Sequence, residues 1–338
     1  MKIAVLAGGL SPEHDVSMTS GALVANALAK RGHSVALCDV YLPMSNSRQA
    51  VFGGTEKFEY EIPPVPTSVS KMRKMYADGR LIGDGVIDFC READVVFTAL
   101  HGGAGEDGHI QALLEMLGIK FTGSDMASCH AAMDKHISKL ICEKAGLDAP
   151  PCVIVKKSEA SPDIELPAVV KPCSCGSSVG VTFVYEKDAL KAALDEAFKY
   201  EERVIIEKKI EGREFSVSVL GGRALPSVEI LPKSGTYDFI SKYKSGLTEE
   251  ICPGRLDESE EKEIERLALT AHGALGLGDY SRSDFIYGYD GTFYYLETNA
   301  LPGMTKNSLL PMSARAAGIE YEELCEKICA LAYERKKK

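Results

Sequence analysis

The chain has 338 residues, of which 45% are hydrophobic, 26% charged and 7% aromatic, a globular composition that excludes disordered, collagenous and coiled-coil classes. Its formal net charge of −10 argues against a nucleic-acid partner, because duplex recognition needs a basic face. No apolar run approaches the roughly 18 residues of a membrane span, and Met1-Lys2 leads directly into a strand-like segment, so a cytoplasmic protein with no membrane partner is expected.

At about 100–200 residues per domain, the length predicts two or three domains. Residues 3–7 are an apolar run ending at Gly8-Gly9, which reads as a buried parallel strand and a tight turn. Helical spacing over 17–30, strands at 35–40 and 95–100, and a helix over 110–117 continue the alternation. This predicts a doubly wound N-terminal domain whose ligands sit beyond the carboxyl ends of its strands. The polar clusters at 11–17 and 101–109 lie at such ends. After Gly123, Ser124 is expected to cap one long helix ending at Gly146, with Met126, Met133, Ile137 and Leu140 as its apolar residues. Strand-like segments at 153–155, 168–171, 181–185, 204–207 and 215–220, with a helix over 189–200, give the middle third an α+β character. Residues 231–253 lack periodicity, and a loop of that length is more often functional than idle. A helix over 258–275, strands at 280–287 and 293–298, and a helix over 321–332 complete the chain. The ten cysteines form no C-x-x-C pair, so a zinc site of ordinary spacing has no support. Cys325 and Cys329 read as core residues; Cys173 and Cys175 sit in a Gly/Ser loop and are expected to be free thiols.

The sharpest local pattern is Asp290-Gly291 between two strand-like runs, a two-residue hairpin signal. A two-residue turn sets Tyr289 opposite Thr292. Counting back puts Asp284 opposite Glu297 and Arg282 opposite Asn299, all on one face. Phe285 opposite Leu296 and Tyr287 opposite Tyr294 would fill the other face. Two opposed carboxylates at ~4 Å repel by about 4 kcal/mol at an effective dielectric near 20. A divalent cation reverses that sign, and oxygen ligands favour Mg²⁺ or Mn²⁺; a solvated face with Arg282 neutralising one acid is the alternative. The following Leu301–Pro311 stretch leads towards a helix expected near Pro311, a natural carboxylate or phosphate site that Arg282 could complete. Between two strands, residues 171–180 bring small residues and free backbone N–H groups together as an anion nest. Gly176–Gly180 also matches the G-x-S-x-G of serine hydrolases. That reading fails because a strand follows Ser178 and the sole downstream histidine, His272, lies in an amphipathic helix.

Taken together, Ser11-Pro12-Glu13-His14-Asp15-Val16-Ser17, His101-Gly102-Gly103-Ala104-Gly105-Glu106-Asp107-Gly108, Met133-Asp134-Lys135 and the Lys171–Gly180 loop are specific. With residues 207–214, Arg282–Asp284 and Glu297–Leu309, they resemble the D-alanine–D-alanine ligase family of the ATP-grasp superfamily over almost the whole chain. The resemblance implies an ATP-grasp fold, α/β and α+β, preceded by the doubly wound domain, with divisions at 1–123, 124–207 and 208–338. It implies ATP-dependent joining of two D-alanines through an acyl phosphate, for peptidoglycan precursors. The alternatives are a D-Ala–D-Ser or D-Ala–D-lactate ligase, or a silent nucleotide-binding regulator. Residue by residue, Lys135, Lys171 and Lys242 would meet the nucleotide, with Ser177, Ser178 and Val179 as a phosphate lid. Glu207, Lys208 and Ile210 would contact adenine and Glu214 the ribose. Asp284, Glu297 and Asn299 match the family's ligands for two Mg²⁺ ions. Glu13, with Ser177 and Tyr243, would hold the first ammonium; Ser308 and Leu309 would hold the acceptor carboxylate. Arg282 and the Gly303 N–H would stabilise the oxyanion, and His101 would lie near the first substrate. Relatives making D-alanyl-D-lactate carry a His where Tyr243 stands. A homodimer is implied by the resemblance alone. Ser174 and Cys175 depart from the charged pair usual in the family, which puts some lid contacts in doubt.

Overall fold

The computed structural model describes residues 1–46, 51–53, 57–63, 67–76, 78–159, 162–176, 178–232 and 248–335. In the N-terminal part, β1 (Lys2–Ala7) is followed by α1 (His14–Lys30) and β2 (Ser34–Asp39), then short helices α2 (Val69–Arg73) and α3 (Val86–Arg91), β3 (Val95–Thr98) and α4 (His109–Met116). The three strands form a parallel sheet in the order β2-β1-β3. One face packs Ile3, Val5 and Phe97 against α1 and the C-terminal helices through Leu28, Leu324 and Ile328. The other packs Ala4, Leu6 and Val96 against Val86, Phe89, Ile110 and Leu114. A sheet covered on both faces explains why these strands read as unbroken apolar runs.

The single long helix expected after Gly123 is two helices, α5 (Met126–Met133) and α6 (Lys135–Lys144). Asp125, not Ser124, caps the first, accepting from Ser128 N. Asp134 leaves the helical region (φ −83°, ψ 107°) and its carboxylate accepts from the N–H groups of His136 and Ile137, so it starts a new helix. The break re-aims the chain: α6 buries Lys135, Ser138, Lys139 and Cys142, while Leu140 is 52% exposed.

The middle strands β4 (Cys152–Lys156), β5 (Ala168–Pro172), β6 (Thr182–Val184) and β7 (Arg203–Lys208) form an antiparallel sheet in the order β4-β7-β5-β6, covered by α7 (Leu190–Ala197). A larger sheet follows, built on β8 (Gly212–Leu220), β9 (Arg223–Ala224), β10 (Val228–Pro232), β11 (Thr248–Ile251), β12 (Tyr280–Gly288) and β13 (Phe293–Asn299). Its order is β11-β10-β8-β12-β13, with β9 beside β8. Helix α8 (Glu258–Ala274) opens with a full capping box between Asp257 and Glu260. It packs with α5 and α6 on this sheet through Ile264, Ala268, Cys129 and Phe285. Helices α9 (Leu309–Ala316) and α10 (Tyr321–Glu334) return the chain to the N-terminal core, where Cys325 and Cys329 are buried as expected.

The β12–β13 hairpin corrects one expectation and preserves another. Gly288 N donates to Thr292 O and Gly291 has φ +81°, so the loop holds three residues, 289–291. Asp290 has no positive φ, which excludes the two-residue primed turn; its carboxylate instead accepts from Thr292 N and Tyr294 OH. The register nearest the turn therefore pairs Tyr287 with Phe293 and Phe285 with Tyr295, not with Tyr294 and Leu296. A β-bulge at Leu296 then absorbs the extra residue. Beyond it Asp284 stands opposite Glu297 and Arg282 opposite Asn299, as the sequence predicts. Two one-residue departures cancel.

Candidate active site

The site collects where β12 and β13 meet α6 and the loop after β5. Arg282 binds Asp284 through a two-toothed contact, Nε to Oδ1 at 2.9 Å and Nη2 to Oδ2 at 2.8 Å. Ser216 on β8 donates to Asp284 Oδ1 at 2.7 Å, and Asn299 Nδ2 lies 3.4 Å from Oδ2. Glu297 is held by Lys135, Nζ to Oε2 at 3.2 Å. The opposed acids are thus balanced by one cation each. Asp284, Glu297 and Asn299 fit a hard divalent ion: two carboxylates and an amide oxygen are the donors such a cation takes. The amide would turn its oxygen inward to serve.

Lys135 is the first residue of α6, and the capping of Asp134 puts it there. Its ammonium is buried, yet it titrates above the ordinary lysine value: burial pulls it down and the Glu297 carboxylate outweighs that. It also donates to Cys175 O at 2.8 Å, and its own N–H donates to Cys173 O at 2.9 Å. The loop after β5 is therefore pinned to the end of α6. Ser174 N and Oγ both donate to the Glu201 carboxylate. Cys173 is buried and its thiol pushed up to about 12, and burial also raises Cys175. Both are free, as expected, and protonated at neutral pH. Ser178 has φ +56°, and Val179 N closes the turn on Gly176 O.

Behind Lys135 lies a buried cluster that pattern reading missed in part. Lys171 Nζ is 2.8 Å from Glu207 Oε2, and Lys139 Nζ is 3.1 Å from Oε1. Burial drives the Glu207 carboxyl up, but Lys139 and Lys171 outweigh it and hold the group below its usual range. Its side chain therefore points inward, away from the exposed end of β7. Lys208 is exposed and pairs with Glu165, and Ile210 and Glu214 are half-buried on the passage into β8.

Three further groups reach this cleft. A Cβ on Gly102 would lie 2.7 Å from Glu13 Oε2, and one on Gly176 would lie 3.4 Å from the same oxygen, so Glu13 sits between the loop after β3 and the loop after β5. His101 is buried beneath it. Its Nε2 lies 3.2 Å from Ser20 Oγ and its ring also bonds the Leu301 backbone, while burial lowers its pKa and keeps it neutral. The ring thus has partners from α1 and from the loop after β13. Glu106, which the sequence reading passed over, lines the cleft with Met133, Lys135, Gly176, Glu297 and Asn299. Burial, reinforced by Glu13, raises its carboxyl to about 7. Its place in the His101–Gly108 motif was the available signal.

At the far edge, helix α9 starts at Leu309, two residues before Pro311. Ser308 turns its hydroxyl back to Thr305 instead of capping the helix, Thr305 N donating to it at 3.1 Å. The first-turn N–H groups so lack a side-chain cap, the arrangement an incoming anion uses. A Cβ on Gly303 would meet Ser308 Oγ at 2.8 Å, so this turn is closed tightly. The hydrolase reading fails here too, because His272 Nδ1 pairs with Ser281 Oγ. Ser177, Lys242 and Tyr243 lie outside the described residues.

Comparison with known proteins adds identity to this geometry. Family models match residues 2–124 as "D-ala D-ala ligase N-terminus" and 142–330 as "D-ala D-ala ligase C-terminus". A D-alanine–D-alanine ligase of Pediococcus pentosaceus is 39% identical over 97% of this chain and 96% of its own length. That of Geotalea uraniireducens is 40% identical over 98% and 95%. The crystal structure of the Bacillus anthracis ligase complexed with ATP superposes with a TM-score of 0.76 at 32% identity, covering 98% of this chain and 97% of that one. With relatives matched along nearly their full lengths, the chain belongs to the D-alanine–D-alanine ligase family, within an ATP-grasp fold.

Proposed function

We propose that the protein joins two D-alanines into D-alanyl-D-alanine at the expense of ATP, supplying peptidoglycan precursors in the cytoplasm. The observation that supports this most directly is the meeting of Arg282, Asp284, Glu297, Asn299 and Lys135 at one cleft in a chain that aligns end to end with such ligases. The proposal includes the divisions at 1–123, 124–207 and 208–338, and a homodimer. Among the described residues no helix is long and apolar enough to cross a membrane.

In this reading a D-alanine carboxylate attacks the γ-phosphoryl group, giving an acyl phosphate and ADP. The amine of the second D-alanine then attacks that carbonyl and phosphate leaves. Glu13 holds the first ammonium beside Gly102, aided by Ser177 and Tyr243. Lys135, Lys171 and Lys242 neutralise the phosphates, over which Ser177, Ser178 and Val179 close; Glu207, Lys208 and Ile210 border the adenine and Glu214 the ribose. Two Mg²⁺ ions (Mn²⁺ can substitute) held by Asp284, Glu297 and Asn299 would offset charge during phosphoryl transfer. Arg282 and the Gly303 N–H receive the tetrahedral oxyanion. Ser308 and Leu309 N–H groups take the acceptor carboxylate at the uncapped start of α9. His101, neutral and held on both sides, positions the floor of the donor pocket.

ADP release that depends on D-alanine, with dipeptide identified by mass, is the expected result. Release from D-alanine that needs D-lactate or D-serine as a second substrate, with the mixed product identified by mass, would move the assignment to the alternative ligases. No release with D-alanine alone or with either of them added would remove the ligase reading. Glu13 carries its own test. Gly102 has φ +66°, and a Cβ there would lie 2.6 Å from Ser11 Oγ and 2.7 Å from Glu13 Oε2. Gly102→Ala is expected to raise KM for D-alanine about tenfold or more, because a Cβ there displaces the Glu13 carboxylate assigned to the ammonium. The backbone conformation, with ψ 167°, is one only glycine adopts readily, and its strain of ~1–3 kcal/mol falls on stability and not on KM. KM for ATP should stay near the wild-type value; equal changes in both constants would separate Gly102 from the donor pocket.

A further inference from the structure

Helix α6 turns Lys135, Ser138, Lys139 and Cys142 inward, and the proposed phosphate chemistry uses only the first. Lys139 is 1% exposed, a depth at which an ammonium needs a counter-charge. Its Nζ forms an ion pair with Glu207 Oε1 at 3.1 Å and donates to Tyr295 O at 3.1 Å. The Tyr295 ring centroid is 5.9 Å away. Glu207 Oε2 is held by Lys171 at 2.8 Å. Two ammonium groups from different elements, α6 and β5, thus share one carboxylate on β7.

That count matters for a lysine that must change partners. If Glu207 had Lys171 alone, swinging the ammonium to a phosphate would strand a carboxylate in the interior, and the pair would stay closed. With Lys139 on the other oxygen, Glu207 keeps a cation when Lys171 leaves. The cluster also carries one surplus positive charge, which favours an anion at the open side. We propose that Lys139 is a positioning residue: it balances Glu207 from behind and so leaves the charge of Lys171 for the nucleotide phosphates. The direction of titration agrees, since Glu207 is held below its usual range by both lysines against burial. Lys139 itself is pulled down by burial, with Glu207 opposing and Lys171 adding to the fall.

The inference rests on the reading that Lys171 meets phosphate, and a binding cycle on the full chain separates the two. Dissociation constants for Mg-ATP, with a melting temperature for each variant, are measured for the wild type, K139M, E207Q, K139M/E207Q and K171M. K139M is expected to weaken ATP about tenfold in the wild-type background, because Lys171 is then locked on Glu207. The same substitution is expected to cost less than about twofold in the E207Q background, where there is no carboxylate to lock it. K139Q, neutral but hydrogen-bonding, repeats the cycle and keeps the test open should K139M fold poorly. An equal loss in both backgrounds, or ATP binding by K139M and K139Q within about threefold of wild type, overturns the positioning role. Unchanged ATP binding by K171M overturns the phosphate reading of Lys171, and the inference with it.

Discussion

Replacing Arg282 by methionine is expected to lower kcat by about 10²–10³-fold, the usual loss when one preorganised oxyanion donor is removed. The guanidinium is held in advance of the reaction. Both nitrogens facing Asp284 are engaged at 2.8–2.9 Å, and its side chain is only 15% exposed, so little reorganisation is left for the moment when charge develops on the carbonyl. R282K keeps the charge but not the planar fork, and should fall between wild type and R282M. The split between constants carries the test: KM for ATP should change far less than kcat, because Arg282 is assigned to the carbonyl and not to the nucleotide. A kcat for R282M within about threefold of wild type would remove Arg282 from the oxyanion site. Because Asp284 keeps its bonds to Ser216 and Asn299, melting curves should show R282M folded.

How much of this was legible in the sequence differs by element for physical reasons. The parallel strands were plain, because both faces of the N-terminal sheet are buried and periodicity has nothing to hide. The pairing of Asp284 with Glu297 and of Arg282 with Asn299 was also reached, although by a count that skipped both a loop residue and a bulge. Tyr289-Asp290-Gly291 and Leu296 each add one residue, so the error vanishes at the site and survives only near the turn. Side chains confirm the switch: Tyr295 OH reaches Thr298 Oγ1 at 2.9 Å, on the core face, which an unbroken two-residue period would not allow. Helix α6 was illegible for the opposite reason. A hydrophobic stripe locates a buried face only when that face is apolar, and here the inward positions are Lys135, Ser138, Lys139 and Cys142. Asp134 also reads as an ordinary helical residue until its two backbone bonds are seen. Lys135 and Lys171 entered through family resemblance, whereas Lys139 had neither a stripe nor a motif to mark it. Glu106 did stand in a motif, but its unusual titration comes from burial, which sequence does not record.

The second large effect concerns pH and the loop that carries Glu13. His14 is buried with each ring nitrogen facing a carboxylate, Nε2 to Asp39 Oδ2 at 2.7 Å and Nδ1 to Asp15 Oδ1 at 3.1 Å. Only the doubly protonated ring donates to both. Asp39 ends β2 and also accepts from Gly9 N and Tyr41 N; Asp15 lies in the first turn of α1 and also accepts from Tyr60 OH, Thr67 N and Thr67 Oγ1. The imidazolium, through its two carboxylates, therefore ties the strand end and the helix start to Tyr60 and Thr67, one residue from Glu13. Burial pulls its pKa down, but Asp39 and then Asp15 outweigh that and raise it above 6.5. A raised value in the folded state means the stabilisation is complete below the unfolded value and is lost as pH rises through the folded one. His14→Gln, which leaves the two acids without their shared cation, is expected to cost about 3–5 kcal/mol at pH 6, in the range found for breaking a buried pair. The gap between wild type and variant should narrow at alkaline pH, as the wild type sheds the proton that the variant never binds. Urea unfolding of both proteins across this pH range measures that gap, and the KM for D-alanine should rise along the same curve because Glu13 loses its anchor. A gap that stays constant with pH would mean that His14 is neutral in the fold and that hydrogen bonding, not charge, holds the loop.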